Sequence, residues 1–231
     1  MYSRDLAFVH DAAFSDLSRR AAPEIVRILR DSGLTSGRVV EVGCGSGVLA
    51  RRLCAAGYDV VGFDVSPAMI KLARAQAPAA RFRVANAAKT AVPACDAVVG
   101  IGEVVTYLPG GLAALRRFFG RVYDALAPGG VFIFDFMHTA RGRTYPLRTV
   151  GTKQWSMAVR ATYNRQTRVL TREIALTRRD QRSRETHRVR IYRRRDVVSA
   201  LARIGFTVST SRAIGRHRLL PGDTAVVARR P

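Results

Sequence analysis

A chain of 231 residues, 48 % hydrophobic and 24 % charged, has the make-up of a globular protein with enough length for one α/β core. That excludes a disordered segment, and the absence of any apolar run near the ~18 residues of a membrane span excludes a transmembrane helix. The charge is +22 and uneven: residues 1–137 hold 16 Lys/Arg against 12 Asp/Glu, and residues 138–231 hold 23 against 5, nets of +4 and +18.

The predicted elements follow in chain order. The opening MYSRDLAFVHDAAF carries Asp5 and Asp11 and lacks a signal-peptide core. Residues 11–32 have helical spacing through LSRRAAPEIVRILRDSG, with Pro23 expected to split the run and Gly33 to end it. A strand is expected at 38–42, a helix at 47–56 closed by Gly57, and a second strand at 59–64. Ser66 and Pro67 are an N-cap and first helical residue for PAMIKLARAQA. RFRVAN (81–86) and the apolar DAVVGI (96–101) are strands three and four, residues 109–130 a helix, and VFIFDF (131–136) strand five.

The alternation then stops. QWSMAVRATY, TRVLTREIALTRR and ETHRVRIYR are three β-runs within 154–192, followed by a helix at 195–206 and strands at 207–214 and 224–230. The expected fold is a doubly wound α/β unit with a mixed seven-stranded sheet and an antiparallel β-lid inserted after strand five. Its parts are a helical cap (1–35), a core (36–137), the lid (154–192) and a return to the core sheet (195–231), all in a single domain spanning 1–231.

The chemistry concentrates in VVEVGCGSG (39–47). A β-branched pair, the acid Glu41 and the glycines Gly43, Gly45 and Gly47 make a strand-to-loop turn that a ligand can approach closely. The next strand ends in Asp64, so a glycine turn after strand one and an acid at the tip of strand two outline a nucleoside pocket. The dinucleotide pattern GxGxxG wants glycine where Val48 stands, and it has no place for Glu41. VVEVGCGSG instead resembles motif I of the class I S-adenosylmethionine (SAM) dependent methyltransferases, whose core is Rossmann-like.

The resemblance implies that the loop passes under the methionyl and ribose parts of SAM and that Asp64 binds both ribose hydroxyls. One carboxylate can accept two hydrogen bonds from a cis-diol. Asn86 stands where the family often has an acid for the adenine amino group; Asn accepts through its amide oxygen, and a turn-forming Asn is the competing reading. CDAVVGIGEVVTYLP (95–109) resembles motif IV, whose backbone near Gly100 and Ile101 would touch the methionine end. The implied cofactor set is Glu41, Gly43, Cys44, Gly45, Gly47, Asp64, Val65, Asn86, Ala87 and Ile101. Glu103 points to the same mouth and would hold the cofactor ammonium, orient a substrate or cap the turn. The Asn/Asp-Pro-Pro-aromatic tetrad of amine methylation in adenine or glutamine is absent, and Ala94 rather than proline precedes Cys95.

Histidine can take a proton from an alcohol or an amine near neutral pH. Of His10, His138, His187 and His217, the candidates are His10 and His187, with Glu103 beside them. His10 lies in a stretch (2–14) resembling the N-terminal cap of bacterial small-molecule methyltransferases. Alternation puts Glu185, His187, Val189 and Ile191 on one strand face. The stretch from ETHRVRIY to RIGF resembles glycine and amino-sugar N-methyltransferases. The resemblance implies methyl transfer from SAM, leaving S-adenosylhomocysteine, to N or O of a small molecule; the arginines of the lid would favour an anionic metabolite or lie on its outer face.

Two alternatives stand beside this: an RNA or protein methyltransferase recruited by the +18 half, and a SAM-binding regulator without transfer activity. The basic half suits an anionic partner. An arginine-rich genome and a solvated face give the same composition, and no aromatic-interleaved RNA motif accompanies it, so nucleic acid is not favoured. No membrane partner and no metal are expected, since Cys44, Cys54 and Cys95 have no metal-ligand spacing. The odd thiol points to a reduced cytoplasm, and the chain to a monomer or homodimer.

Overall fold

The computed structural model describes residues 3–140, 142–178 and 181–231. Two helices come first, α1 (Arg4–Phe14) and α2 (Asp16–Asp31). They are followed by β1 (Arg38–Val42), α3 (Val48–Ala55), β2 (Asp59–Asp64), α4 (Pro67–Gln76), β3 (Arg81–Val84), β4 (Cys95–Gly100), a 3₁₀ turn (Val104–Tyr107), α5 (Gly111–Ala125) and β5 (Leu126–Met137). Next come β6 (Tyr145–Gly151), β7 (Trp155–Asn164), β8 (Val169–Arg178), β9 (Gln181–Arg190), α6 (Arg194–Ile204) and β10 (Thr207–Ser211). A short hairpin, β11 (Ala213–Ile214) and β12 (His217–Arg218), precedes β13 (Asp223–Arg229).

Seven strands make the main sheet in the order β10-β13-β5-β4-β1-β2-β3. β1 to β5 pair in parallel, and β13 runs antiparallel to both β5 and β10. The mixed seven-stranded sheet expected from the sequence is therefore present. Ala97, Val98 and Val99 of β4 are all fully buried, as a central parallel strand with helices on both faces requires. Alternation splits the core. Val40, Val98, Phe132 and Phe134 pack with α5 and α6, while Val39, Ala97, Val99 and Ile133 pack with α2, α3 and α4.

Several boundaries differ from expectation, among them the strand at 207–214, which ends at Ser211 and gives way to the separate hairpin strand Ala213–Ile214. The first helical break falls at Ser15, whose hydroxyl donates to the Asp11 carbonyl, and α2 runs unbroken through Pro23. Pro23 is exposed, so the Arg19 carbonyl that loses its helical partner faces water. α5 stops at Ala125 rather than continuing to 130, because Pro128 forces Ala127 out of helical geometry and β5 begins at Leu126. β3 stops at Val84, two residues early, because Asn86 forms a turn.

The insert after β5 is an antiparallel sheet in the order β6-β7-β8-β9, one strand more than the three β-runs. β6 carries Pro146 and has no buried side chain, so no alternation marked it; it lies at the sheet edge, where proline is tolerated. The inner face of this sheet is apolar at most positions, with Arg172, Arg178, Glu185 and His187 among them. Trp155, Met157, Val159 and Leu176 pack on Leu6 and Val9 of α1, while Ala161, Leu170 and Val189 pack on Met137 and Ala140. Among the described residues, no helix is long and apolar enough to cross a membrane.

Candidate active site

β1 lies between β2 and β4, where the strand order reverses, so a crevice opens beyond the carboxyl ends of β1 and β4. The loop from Gly43 to Gly47 lines it. The Gly43 N–H donates to the Phe63 carbonyl at 2.8 Å, tying the loop to β2. Gly47 has φ +84, and a Cβ there would stand 2.9 Å from Ala73 Cα, where α3 meets α4; packing demands this glycine. Gly45 differs. At φ +52, a Cβ on it would meet no atom within 4 Å, so its bare backbone faces open space in the crevice. Cys44 is buried, and burial, then Glu41 and Asp64, push its thiol well up.

Two carboxyls flank the loop. Glu41 is 3 % exposed, and its Oε2 is buried without a hydrogen-bond partner. Burial, then the neighbouring Asp64, raises its pKa to about 8 against a backbone hydrogen bond from Ala50. Asp64, half-buried at the tip of β2, accepts from Gly45 N–H at 3.2 Å and Ser66 N–H at 2.8 Å. Burial pushes its carboxyl above the usual range, against the N–H groups of Ser66, Gly45 and Val65. Val65 and Val84 leave large apolar side chains exposed at the tips of β2 and β3, and Ala87 and Ile101 lie buried nearby in sequence. Asn86 is exposed; its amide oxygen accepts from Ala88 N–H at 2.9 Å, the turn-forming geometry.

Across the crevice, Asp135 of β5 is fully buried and accepts from the Gly102 N–H at 2.7 Å and the Glu103 N–H at 3.1 Å. Burial, then Glu103, raises its pKa to about 8. It holds the loop after β4, in which Glu103 adopts φ 64, an unusual conformation for a side chain with a Cβ. Glu103 is buried and engaged on both oxygens. Arg143 donates to Oε1 and Arg172 of β8 to Oε2, each at 3.3 Å. Arg172 also donates to the Tyr107 hydroxyl at 3.2 Å, and Arg143 to Asp223 Oδ2. Burial, then Glu103, lifts the Asp223 pKa to about 7.

His187 of β9 is buried, with Nε2 3.0 Å from Glu185 Oε2 and its ring edge-on to Tyr107. Glu185 in turn accepts from Ser3 N–H at 2.7 Å. His10 on α1 has its pKa lowered by burial, with Asp11 and His187 as the charges it feels. Tyr107 thus meets both His187 and Arg172, and Arg172 reaches Glu103, while His10 is near enough to His187 to feel its charge. His138 lies 2.9 Å from the Thr224 hydroxyl, its pKa lowered by burial and then by Arg194 and Arg212. His217 sits in the hairpin that packs on α2.

Sequence reasoning missed Asp135, Arg143, Arg172 and Asp223. Asp135 left a signal, an acid inside the phenylalanine-rich VFIFDF strand. A depression of about 660 Å³ lined by Arg38, Asp59, Asp96 and Asp124 lies at the opposite end of the strands and shares no residue with this crevice.

Residues 39–130 match the family model described as a methyltransferase domain. The chain is 36 % identical over 124 residues to a trans-aconitate 2-methyltransferase of Methylobacterium radiotolerans, covering 52 % of this chain and 46 % of that one. It is 30 % identical over 154 residues to a ubiquinone biosynthesis O-methyltransferase of Methylobacterium sp. strain 4-46, covering 64 % and 57 %. The chain spans about half the length of the curated relatives it matches. Among solved structures, a SAM-dependent methyltransferase from Clostridium acetobutylicum superposes with a TM-score of 0.84 at 16 % identity, over 97 % of each chain. A SAM-bound amino pentose methyltransferase from Micromonospora echinaspora superposes at 0.77 and 22 %, over 100 % of this chain and 98 % of that one. At such identities the superpositions establish the fold. Residues 39–130 are thus similar to a methyltransferase domain, and the chain shares its fold with solved SAM-dependent methyltransferases.

Proposed function

We propose that this protein transfers the methyl group of SAM to a nitrogen or oxygen nucleophile of a small molecule, releasing S-adenosylhomocysteine. The observation that carries the proposal is the corner formed by Gly45, Asp64 and Glu41. Gly45 leaves its backbone bare to open space, Asp64 stands at the rim, and Glu41 holds a buried oxygen with no partner. A nucleoside with a cationic tail fits such a corner: Asp64 would accept from the ribose hydroxyls, and the loop backbone would run under the ligand. The exposed Val65 and Val84 offer apolar surface for an adenine face.

When bound, SAM supplies a methyl group on a sulfonium, already activated for in-line displacement. The protein's part is to place the nucleophile and keep water out. The β-sheet insert packs on α1 and reaches the loop after β4 through Arg172 and Glu103, which suits both tasks. An alcohol acceptor would lose its proton to a base; His10 and His187 stand on the lid side for that role, with Glu185 orienting His187. An amine acceptor needs only to arrive neutral. The relatives' names, for trans-aconitate and ubiquinone biosynthesis, support a metabolite as acceptor.

Incubating a cell extract with the protein and isotopically labelled SAM, followed by mass spectrometry, tests this. The expected result is a labelled species of metabolite mass. Label confined to RNA or protein would overturn the small-molecule reading, and tight SAM binding with no labelled product would favour a regulator.

A further inference from the structure

The insert sheet has a second face. Strand pairing sets Ser156, Ala158, Arg160 and Thr162 of β7 beside Thr171, Glu173, Ala175 and Thr177 of β8, and these beside Arg182, Arg184, Thr186 and Arg188 of β9. All point away from the apolar inner face, because side chains alternate along a strand. Arg160, Arg182, Arg184 and Arg188 are exposed, and Glu173 is the one acid on these strand positions. Arg182, Arg184 and Arg188 form no ion pair among the described residues.

A wet sheet face ordinarily mixes both signs of charge, since like charges in neighbouring positions repel. This face sets four arginines against the single acid Glu173, which stands across from Arg160, and leaves Arg182, Arg184 and Arg188 as a row of one sign along β9, with residues two apart about 7 Å from one another. From Arg182 to Arg188 the row runs about 20 Å at the usual rise per residue. Between the arginines lie short Thr, Ser and Ala side chains, which leave the surface open and add hydroxyl donors.

We propose that this outer face docks the phosphate backbone of double-stranded DNA, independently of sequence and of the methyl-transfer site beneath it. Arginine guanidinium and Ser/Thr hydroxyls are the usual donors to phosphate oxygens. The side chains that other partners require are missing from these strand positions. No aromatic ring is there to stack an unpaired base, as single-strand binding uses. On β7, β8 and β9 these positions hold no Tyr, Trp, Met or Leu to anchor a protein interface or to insert into a lipid surface, and the exposed Leu147 and Val150 lie apart from the arginine row, on the far edge strand β6. The inference stands apart from the enzymatic reading, since none of these residues touches the crevice.

The test is fluorescence anisotropy of the full chain with a ~30-base-pair duplex, long enough to cover the row, titrated with salt. Three guanidinium–phosphate pairs, from Arg182, Arg184 and Arg188, predict log K falling against log salt with a slope of about −2.7. The variant Arg182→Gln/Arg184→Gln/Arg188→Gln removes all three, so it should flatten that slope by about 2.7 and lower affinity at least tenfold. Thermal stabilisation by S-adenosylhomocysteine should be unchanged, showing that the fold persists. A control, Arg51→Gln/Arg52→Gln/Arg117→Gln, removes three exposed arginines elsewhere and should leave the slope in place. Equal effects in both variants would mean that net charge alone binds, and would overturn the proposal. So would absence of DNA binding, or a lid-dependent affinity greater for phosphatidylserine vesicles or for single-stranded RNA than for the duplex.

Discussion

Asp64→Asn isolates the charge that the proposed cofactor site depends on. In the structure the carboxylate already accepts from Gly45 N–H at 3.2 Å and Ser66 N–H at 2.8 Å, so its outward lone pairs are aimed by the backbone. A carboxylate has about four acceptor positions and can share them, so oxygens fixed by backbone N–H groups can still accept from ribose hydroxyls. An amide keeps one acceptor oxygen and turns its NH₂ toward a backbone N–H or a hydroxyl. Hydrogen bonds to a charged group are worth about 1.5–3 kcal/mol each. Losing one and weakening the other predicts about 2–3 kcal/mol, roughly 30- to 150-fold in Kd. Calorimetry with S-adenosylhomocysteine, and with an analogue lacking the ribose hydroxyls, measures it. The wild type should bind the analogue poorly, whereas the variant should scarcely distinguish the two ligands. If the variant keeps full affinity, or discriminates as strongly as the wild type, Asp64 does not hold the ribose.

Other predictions separate binding from folding. Gly45→Ala should leave the unliganded melting point within a few degrees and weaken S-adenosylhomocysteine at least tenfold, because its Cβ would enter the crevice. Gly47→Ala should instead lower stability by roughly 1–3 kcal/mol in urea melts, from overpacking against Ala73; equal behaviour of the two variants would contradict this division. Glu41 and Asp135 have folded pKa values of about 8, raised by burial from 4.5 and 3.8. Their contribution to stability is full below about pH 4 and is lost as pH rises through about 8. The melting point of the unliganded protein should fall across that window, and Asp135→Asn should reduce the slope; a flat profile, or one indifferent to the variant, would count against protonated buried acids. Arg172→Met removes a bond from the insert sheet to Glu103, so amide exchange in β8 and β9 should rise while S-adenosylhomocysteine affinity changes less than about threefold.

Much of the core was legible because its signals are local. VVEVGCGSG has to be a strand-to-loop turn, Ser66 and Pro67 have to start a helix, and DAVVGI is too apolar to be anything but a buried strand. β6 was illegible because an edge strand needs no alternation, and Tyr145–Gly151 has none. Pro23 misled because its helical cost depends on which side the freed carbonyl faces, and only the packed helix decides that. In the site, motif spacing located the glycines and Asp64, whose neighbours in space are also neighbours in sequence order. The carboxyl and guanidinium cluster was not readable that way. Glu103, Asp135, Arg143, Arg172 and Asp223 come from five separate segments, and only the assembled fold brings them together.

That cluster ties the two halves of the proposed site to one residue. Asp135 fixes the backbone of Gly102 and Glu103 at the crevice wall, and the Glu103 carboxylate then meets Arg172 from the insert sheet and Arg143 from the segment leading into it. A buried carboxylate facing two guanidiniums is costly to separate from either, since the partner left behind stays desolvated. The position of the insert sheet and the shape of the loop after β4 are therefore coupled through side chains, not only through the chain connection. Asp135 and Asp223 add two more carboxyls to the same buried region, and burial holds both toward the protonated form, which keeps the cluster from carrying three negative charges against two positive. A ligand that shifts the loop by a fraction of an ångström would have to strain these bonds or move the sheet with them. The insert sheet and the loop expected to touch the cofactor would then respond together.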